Sequence, residues 1–498
     1  MGGRCSVMCA TVRGVRAEPV EVEVAVSSGL PAFHVVGMGD TAVQESRARV
    51  KAAISAAGFT MPAERVVVNL APSSLRKTGT GFDLAIAIGI LLITKQIPAE
   101  VVQGRMFVGE LSLEGFVRPV DGLIAYAFAA RDLGRELVCS ARGSEVIDVA
   151  GVSQVGVNTL RDLLTGSFVP LDPVRFEVAA PSIDYADIGG NDAAKRALQV
   201  AAAGSHGVLM MGPPGSGKTM LAQRVPTILP PLDEDEALET ALIYSVAGQS
   251  IAGILAGVRP FRSPHHSATS AGLIGGGSPI RPGEVSLAHN GVLMLDELAE
   301  FKPATLQMMR QPMEDGEVTI TRADGTLTFP AHFMLIAATN PCPCGYFGDP
   351  EHRCTCSETQ VNAYRNRIGG PLMDRIDMHI DVARVPAGNV LSAGGGVSSA
   401  VLLEGVLAAR EYRCWRQTRM EDEDAGSKGP ARIVAACKLD DSDMAFYRQA
   451  CKANKMSGRA LLRTLSVART IADLDQRERV EKADLCEALN YRTREGGA

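Results

Sequence analysis

Apolar positions along this chain change period repeatedly, and each change marks an element. Val20, Val22, Val24 and Val26 alternate with polar neighbours, so residues 7–26 read as a half-buried strand. A second strand is expected at 32–36, a helix at 41–57 and a third strand at 65–70. Residues 83–93 are apolar almost all round, which predicts a buried helix rather than a surface one. Residues 106–110, then Leu113 and Val117, read as further strands, and 125–133 as a helix. The mixture predicts an α/β domain over residues 1–168.

Residues 169–182 hold three prolines and no clear period, as a linker would. A second α/β unit follows over 183–385. Its signals are a helix at 193–203, buried strands at 208–211, 291–295 and 333–338, and a helix at 220–225. A hairpin is expected from 318–321 and 327–329 around Asp324-Gly325, a strong turn signal. Beyond a Gly- and Ser-rich connector at 386–399, helical periods at 401–419, 439–453, 458–474 and 480–491 make residues 386–498 a C-terminal helical lid. The acidic and polar stretch 421–429 interrupts them.

Composition adds bounds. A chain of 498 residues, 46% apolar and 21% charged, suits two or three globular domains. The net charge of −6 argues against a generally basic nucleic-acid coat, though not against a local basic channel. The longest apolar run, 84–93, is half the ~20 residues a membrane span requires, so no membrane partner is expected. Eleven scattered cysteines and no signal peptide point to a reducing, cytoplasmic setting.

The chemistry begins at residues 212–219, Gly212-Pro213-Pro214-Gly215-Ser216-Gly217-Lys218-Thr219. A strand before it and a helix after it aim backbone N–H groups and a helix N-terminus at phosphates. Lys218 is expected to reach the β- and γ-phosphates of ATP, and the Thr219 hydroxyl to bind Mg²⁺. The strand 291–295 ends in Asp296 and Glu297. Asp296 can orient the Mg²⁺ shell beside Thr219, and Glu297, one residue on, can polarise the attacking water as a base. Asn340, at the tip of the next apolar strand, can hold that water from the other side. Arg375 is a candidate finger toward a neighbouring protomer's γ-phosphate. Arg459, in the first turn of a strong helix, is expected to contact the γ-phosphate in cis.

Resemblances enter on longer stretches. Residues 109–120 (GELSLEGFVRPV), with 69–72 (NLAP) and 81–84 (GFDL), resemble the catalytic domain of Lon proteases as reused in bacterial recombination ATPases. Lon cuts peptides with a Ser–Lys pair; here Thr80-Gly81-Phe82-Asp83 lacks the serine and Ile124 stands where the lysine is expected. Without both partners the nucleophile cannot be activated, so the chain is not expected to be a protease. Lys77, Ser73 and Ser74 are near but would need a different geometry.

The order of nucleotide motifs resembles the AAA+ ATPases, in the branch of magnesium chelatase motors and MCM helicases. Residues 262–269 (RSPHHSAT), 282–291 (PGEVSLAHNG), 311–316 (QPMEDG) and 342–346 (CPCGY) are similar to the YifB/ComM family. That resemblance implies an ATP-hydrolysing ring of identical subunits, hexameric, acting on branched or single-stranded DNA as a helicase or branch-migration factor in recombination or natural transformation. The alternative is a magnesium-chelatase-like ATPase that remodels a protein partner. In this branch the segments 261–290 and 317–329 point into the ring's pore, which makes Arg262, His265, His266, Arg281 and Arg322 candidate contacts to DNA phosphates. Ordinary loop polarity, or structural hydrogen bonding by the histidine pair, is the competing explanation. Aromatic residues, 5% of the chain, build no stacking platform.

Cys342-x-Cys344 and Cys354-x-Cys356 are two close thiol pairs with His352 between them in sequence. Four thiolates can close a tetrahedral Zn²⁺ site in a reducing cytoplasm; free thiols are the alternative.

Overall fold

A computed structural model of the chain describes residues 4–173, 182–322, 325–385, 396–423 and 430–492. It is a mixed α/β protein built on two large sheets. The alternating valines belong to two strands, because the chain turns back after Arg13. Arg4–Arg13 and Arg16–Ser27 pair antiparallel, with Val7 opposite Val22 and Cys9 opposite Val20. They sit inside an 8-stranded sheet. Its order is Val169–Pro170, Gln154–Val157, Glu136–Ser140, Arg105–Phe107, Arg4–Arg13, Arg16–Ser27, Arg65–Ala71, Ala32–Val36.

Three members of this sheet escaped the sequence reading: Gln154–Val157, Glu136–Ser140 and Val169–Pro170. Glu136–Ser140 buries Leu137, Val138 and Cys139 in succession, so it carries no alternation to detect. Val169–Pro170 was assigned to the linker on its proline, yet it pairs with Gln154–Val157 at the sheet edge, where a missing N–H is tolerated. Of the expected linker and connector, residues 174–181 and 386–395 lie outside the described residues, as do 424–429 of the acidic stretch and Asp324 of the hairpin turn.

Helix Asp83–Ile93 is buried from Asp83 through Leu91, between the sheet and helix Thr41–Ala56. Each buried Leu or Ile there contributes roughly 1.5–3 kcal/mol relative to exposure. The Asp83 carboxylate at its first turn takes two hydrogen bonds from Arg49, at 2.6 and 3.1 Å. Nearby, Lys77 is buried with its ammonium on the Pro72 carbonyl, while Ser73 and Ser74 are exposed.

The second sheet has the order Phe261–Arg262, Gly291–Leu295, Phe333–Thr339, Val208–Met211, Met378–Asp381, every pair parallel. Parallel pairing puts all the strand C-termini at one edge, where an open α/β sheet places its ligands. Helix Glu234–Val246 bridges the two sheets. Its Ala237, Ala241, Ile243 and Tyr244 share one apolar core with the first sheet. Gly122 N–H donates to the Ser245 carbonyl at 2.8 Å, and Ile251 N–H to Glu145 at 3.0 Å. This helix opens on a capping box from Asp233 and Glu236, a local signal that could have revealed it. The C-terminal helices Ser399–Glu423, Asp441–Ala453, Gly458–Leu474 and Lys482–Asn490 stand close to the expected ranges. Among the described residues no helix is long and apolar enough to cross a membrane.

Candidate functional site

The tips of three adjacent strands meet at one place. Val208–Met211 runs into the Gly-rich loop and helix Lys218–Gln223, which starts after Gly217 at φ +88°. Gly291–Leu295 delivers Asp296 and Glu297, and Phe333–Thr339 delivers Asn340. The Thr219 hydroxyl donates to Asp296 Oδ2 at 2.8 Å. Lys218 Nζ donates to the carbonyls of Gly212 and Pro213, at 2.8 and 3.0 Å, and to Asn340 Oδ1 at 3.3 Å. Lys218, Thr219, Asp296 and Asn340 therefore converge, although up to 122 positions separate them in sequence. Burial pulls the Lys218 ammonium below its usual range, and the Asp296 and Glu297 carboxylates oppose that shift. A buried lysine beside an oxygen pair of a hydroxyl and a carboxylate suits a Mg²⁺–polyphosphate, since hard oxygens are the ligands this cation takes.

Glu297 adopts a left-handed backbone, φ +50°, uncommon outside glycine and typically costing about 1–3 kcal/mol. The turn aims its carboxylate at His266, whose Nδ1 lies 3.2 Å from Oε2. The His266 ring rests against His265, 4.0 Å between centroids, and meets Phe301 edge-on. His266, a candidate contact for DNA, is placed on the candidate base.

Arg375 and Arg459 lie elsewhere. Met378 pairs with Val208, so the residues before Met378 sit at the start of the phosphate-loop strand, not at its tip. Asp377 accepts from Gly207 N–H at 2.8 Å and pairs with Arg463, which also donates to the Arg375 carbonyl at 2.7 Å. Arg459 is one turn before Arg463. Lid docking therefore carries Arg459, expected at the γ-phosphate in cis, to the opposite end of the sheet. There Arg375 and Arg459 share Glu314 Oε1, at 2.7 and 2.9 Å. Glu314, which the sequence reading did not single out, is held below the usual carboxylate range by Arg375 first and Arg459 second.

Four sulfurs close a second constellation beside the phosphate loop. The Sγ atoms of Cys342, Cys344, Cys354 and Cys356 all lie within 4.8 Å of one another. Three of the separations are 3.4, 3.5 and 3.7 Å. A tetrahedral Zn²⁺ at ~2.3 Å from each sulfur needs about 3.8 Å between them, so the set fits. Backbone N–H groups of Phe347 and Cys356 donate to Cys342 and Cys354 Sγ. N–H bonds from Thr355 and Tyr346 bring the Cys344 thiol down to about 5. The loop leans on the nucleotide site. Gly345, at φ +87°, passes so close that a Cβ there would stand 2.6 Å from Pro214 Cδ. Arg384 donates to the Pro214 carbonyl at 3.3 Å and packs over Tyr346, which stacks on His352.

The remaining candidates divide. Arg262 is held by Glu284 in a two-pronged pair, 2.7 and 2.8 Å, and by Gln249, and so braces its own segment. His265 accepts or donates to Ser267 at 2.7 Å, and Arg281 faces Asp121 of the N-terminal unit at 3.2 Å. Arg322 ends strand Glu317–Arg322 of the hairpin and is exposed.

Comparison with known proteins covers almost the whole chain. Residues 22–142 match the family described as subunit ChlI of Mg-chelatase, 184–390 magnesium chelatase subunit ChlI, and 396–492 the ChlI C-terminal part. "Competence protein ComM" of Haemophilus influenzae is 41% identical over 492 residues, 96% of this chain and 95% of that protein. "Uncharacterized protein YifB" of Salmonella typhimurium is 39% identical over 489 residues, with the same shares. The "Magnesium-chelatase 67 kDa subunit" of Chlorobaculum tepidum is 29% identical over 161 residues, 32% of this chain and 23% of that subunit.

Proposed function

The chain belongs to the YifB/ComM family of magnesium-chelatase-like AAA+ ATPases, and from that premise we propose that it is an ATP-driven ring motor acting on DNA. The observation that carries the ATPase reading is the meeting of Lys218 and Thr219 with Asp296 and Asn340 across three strands. Mg·ATP, when bound, would supply the scissile phosphoanhydride and the charge-neutralising cation. Residues 212–219 would bind the phosphates, Thr219 and Asp296 the metal, and Glu297, released from His266, would take a proton from the attacking water, with Asn340 orienting it. Arg375, and now Arg459 beside it, would serve the next protomer from the far end of the sheet. Ring assembly, six subunits in this reading, is what would bring the two ends together.

The DNA reading rests on likeness over nearly the full length to a protein named for competence, where DNA is taken up and recombined. Residues 1–168, read as a Lon-like fold without its dyad, would serve interaction, with 183–385 as the motor and 386–498 as the lid. Arg281, Arg322 and His265 remain the candidates for DNA phosphates in this reading. A second reading, remodelling of a protein partner, is favoured by the stretch shared with a magnesium-chelatase subunit. ATP hydrolysis measured with and without forked or four-way DNA separates them. Stimulation of several-fold is expected; indifference to every DNA form would leave protein remodelling.

The cysteine set is assigned to structural Zn²⁺. Purified protein is expected to carry close to one zinc per chain. Cys342→Ser with Cys354→Ser should lose it and melt several degrees lower, because the loop also supports Pro214. Well under half an equivalent in the unaltered protein would rule the assignment out.

A further inference from the structure

The phosphate loop opens on two residues that carry no amide hydrogen, Pro213 and Pro214. The Gly212 N–H before them is spent on the Thr339 carbonyl at 3.3 Å. Gly215 therefore supplies the first N–H of the loop that can turn to a phosphate. That N–H shares a trans peptide with the Pro214 carbonyl, and the two point in opposite directions. Whatever holds the carbonyl sets the aim of the donor.

Arg384 holds it, with Nη2 donating to the Pro214 carbonyl at 3.3 Å. Strand Met378–Asp381 pairs with Val208–Met211, so the residues just past its end arrive beside the loop. Val382 N–H continues the pairing on the Met211 carbonyl at 2.8 Å. Lys218 holds the two preceding carbonyls, those of Gly212 and Pro213, but must leave them to reach a phosphate.

The cysteine loop holds Arg384 in turn. Arg384 Nη1 meets His352 Nδ1 at 3.2 Å, and its Nε lies 3.7 Å from the Asp349 carboxylate. Its guanidinium carbon stands 5.6 Å from the centre of the Tyr346 ring. Tyr346, Asp349 and His352 all fall between the two thiol pairs in sequence. Gathering the four sulfurs at one point fixes both ends of the segment that carries them. A cavity of about 350 Å³ lies between the two loops, with Pro213, Phe347, Asp349 and Arg384 among its lining. The guanidinium bridges it, beside the close pass of Gly345 on Pro214.

We propose that Arg384 is a positioning residue for ATP binding, through which metal at the cysteines and nucleotide at the phosphate loop favour one another. The inference rests on the ATPase and zinc readings above. With the four thiolates closed, Tyr346, Asp349 and His352 keep the guanidinium on the Pro214 carbonyl, and Gly215 N–H faces the phosphate. With them open, Arg384 loses its support and the Pro214–Gly215 peptide is free to turn. Such coupling is reciprocal: whatever factor zinc adds to nucleotide affinity, nucleotide adds to zinc affinity.

The test uses the full chain, a fluorescent non-hydrolysable ATP analogue with Mg²⁺, and a chromogenic chelator that reports zinc. Arg384→Ala is expected to weaken the analogue about tenfold or more, the scale of a lost hydrogen bond from a charged donor. Its zinc content should stay that of the unaltered protein, which separates mispositioning from misfolding. Arg384→Lys keeps a donor for the Pro214 carbonyl and should recover most of the affinity. In steady-state hydrolysis the Ala loss should fall on KM with kcat nearly kept, the mark of ground-state binding. Stripping zinc from the unaltered protein should weaken the analogue by a similar factor, and saturating analogue should strengthen zinc retention equally. In Arg384→Ala neither should affect the other. Affinity indifferent to Arg384→Ala, or to zinc in a protein that carries it, overturns the inference. A protein found without zinc counts against the cysteine assignment, and the response to Arg384→Ala still decides the role of Arg384. No analogue binding by the unaltered chain would sink the ATPase reading and this inference with it.

Discussion

Replacing Glu297 with glutamine is expected to cut ATP turnover by about 10²–10⁴-fold, the range that loss of a general base produces, while nucleotide affinity holds. The split follows from the geometry. Nucleotide affinity rests on Lys218, Thr219 and the loop backbone, none of which Glu297 touches. Its own partner is His266, at 3.2 Å. Glutamine keeps the volume and can still bond His266, so the left-handed turn at φ +50° should survive. What it loses is the capacity to take a proton. The measurement is steady-state hydrolysis beside equilibrium binding of a fluorescent ATP analogue. Turnover at the original rate would remove Glu297 from catalysis; a parallel loss of binding would mean that the turn, not the base, had been damaged.

The His266 contact also shows where sequence is readable and where it is not. The phosphate loop and the acid-tipped strand were legible because each is a local pattern whose chemistry fixes its spacing. The cysteine set was legible for the same reason: two thiol pairs nine residues apart can fold onto one point. Arg262 was not, since a basic residue in a polar segment looks free until its partner, Glu284, is found 22 positions on. Glu136–Ser140 was lost because full burial erases the alternation on which strand detection depends. Arg459 was misplaced for a deeper reason. Its helix, Gly458–Leu474, was read with the observed ends, but which end of the sheet that helix meets depends on Arg463, Asp377 and Gly207, residues far apart in sequence. Local period sets an element; only long-range pairing sets its address.

That address carries the last prediction. Arg375→Ala is expected to lower turnover by about 10³-fold or more, the scale of a lost arginine finger. Within one protomer Arg375 lies at the start of the phosphate-loop strand, away from the site at its tip, so in the proposed ring the loss is expected to be felt across a subunit boundary. Arg375 is also buried against Glu314, and its removal leaves that carboxylate to Arg459 alone, so a simple loss of activity would not separate catalysis from damage. Mixing does. An Arg375→Ala subunit retains its phosphate loop, and a Lys218→Ala subunit retains its arginine. A ring of both contains boundaries where an intact loop faces an intact arginine. Activity should therefore reappear on mixing two inactive proteins, rising to a maximum near equal proportions. An Arg375 that acts only within its own chain, or only through folding, gives no recovery at any ratio. Glu314→Gln should then weaken both arginines' positioning at once, with a smaller loss than Arg375→Ala, because the guanidinium itself remains.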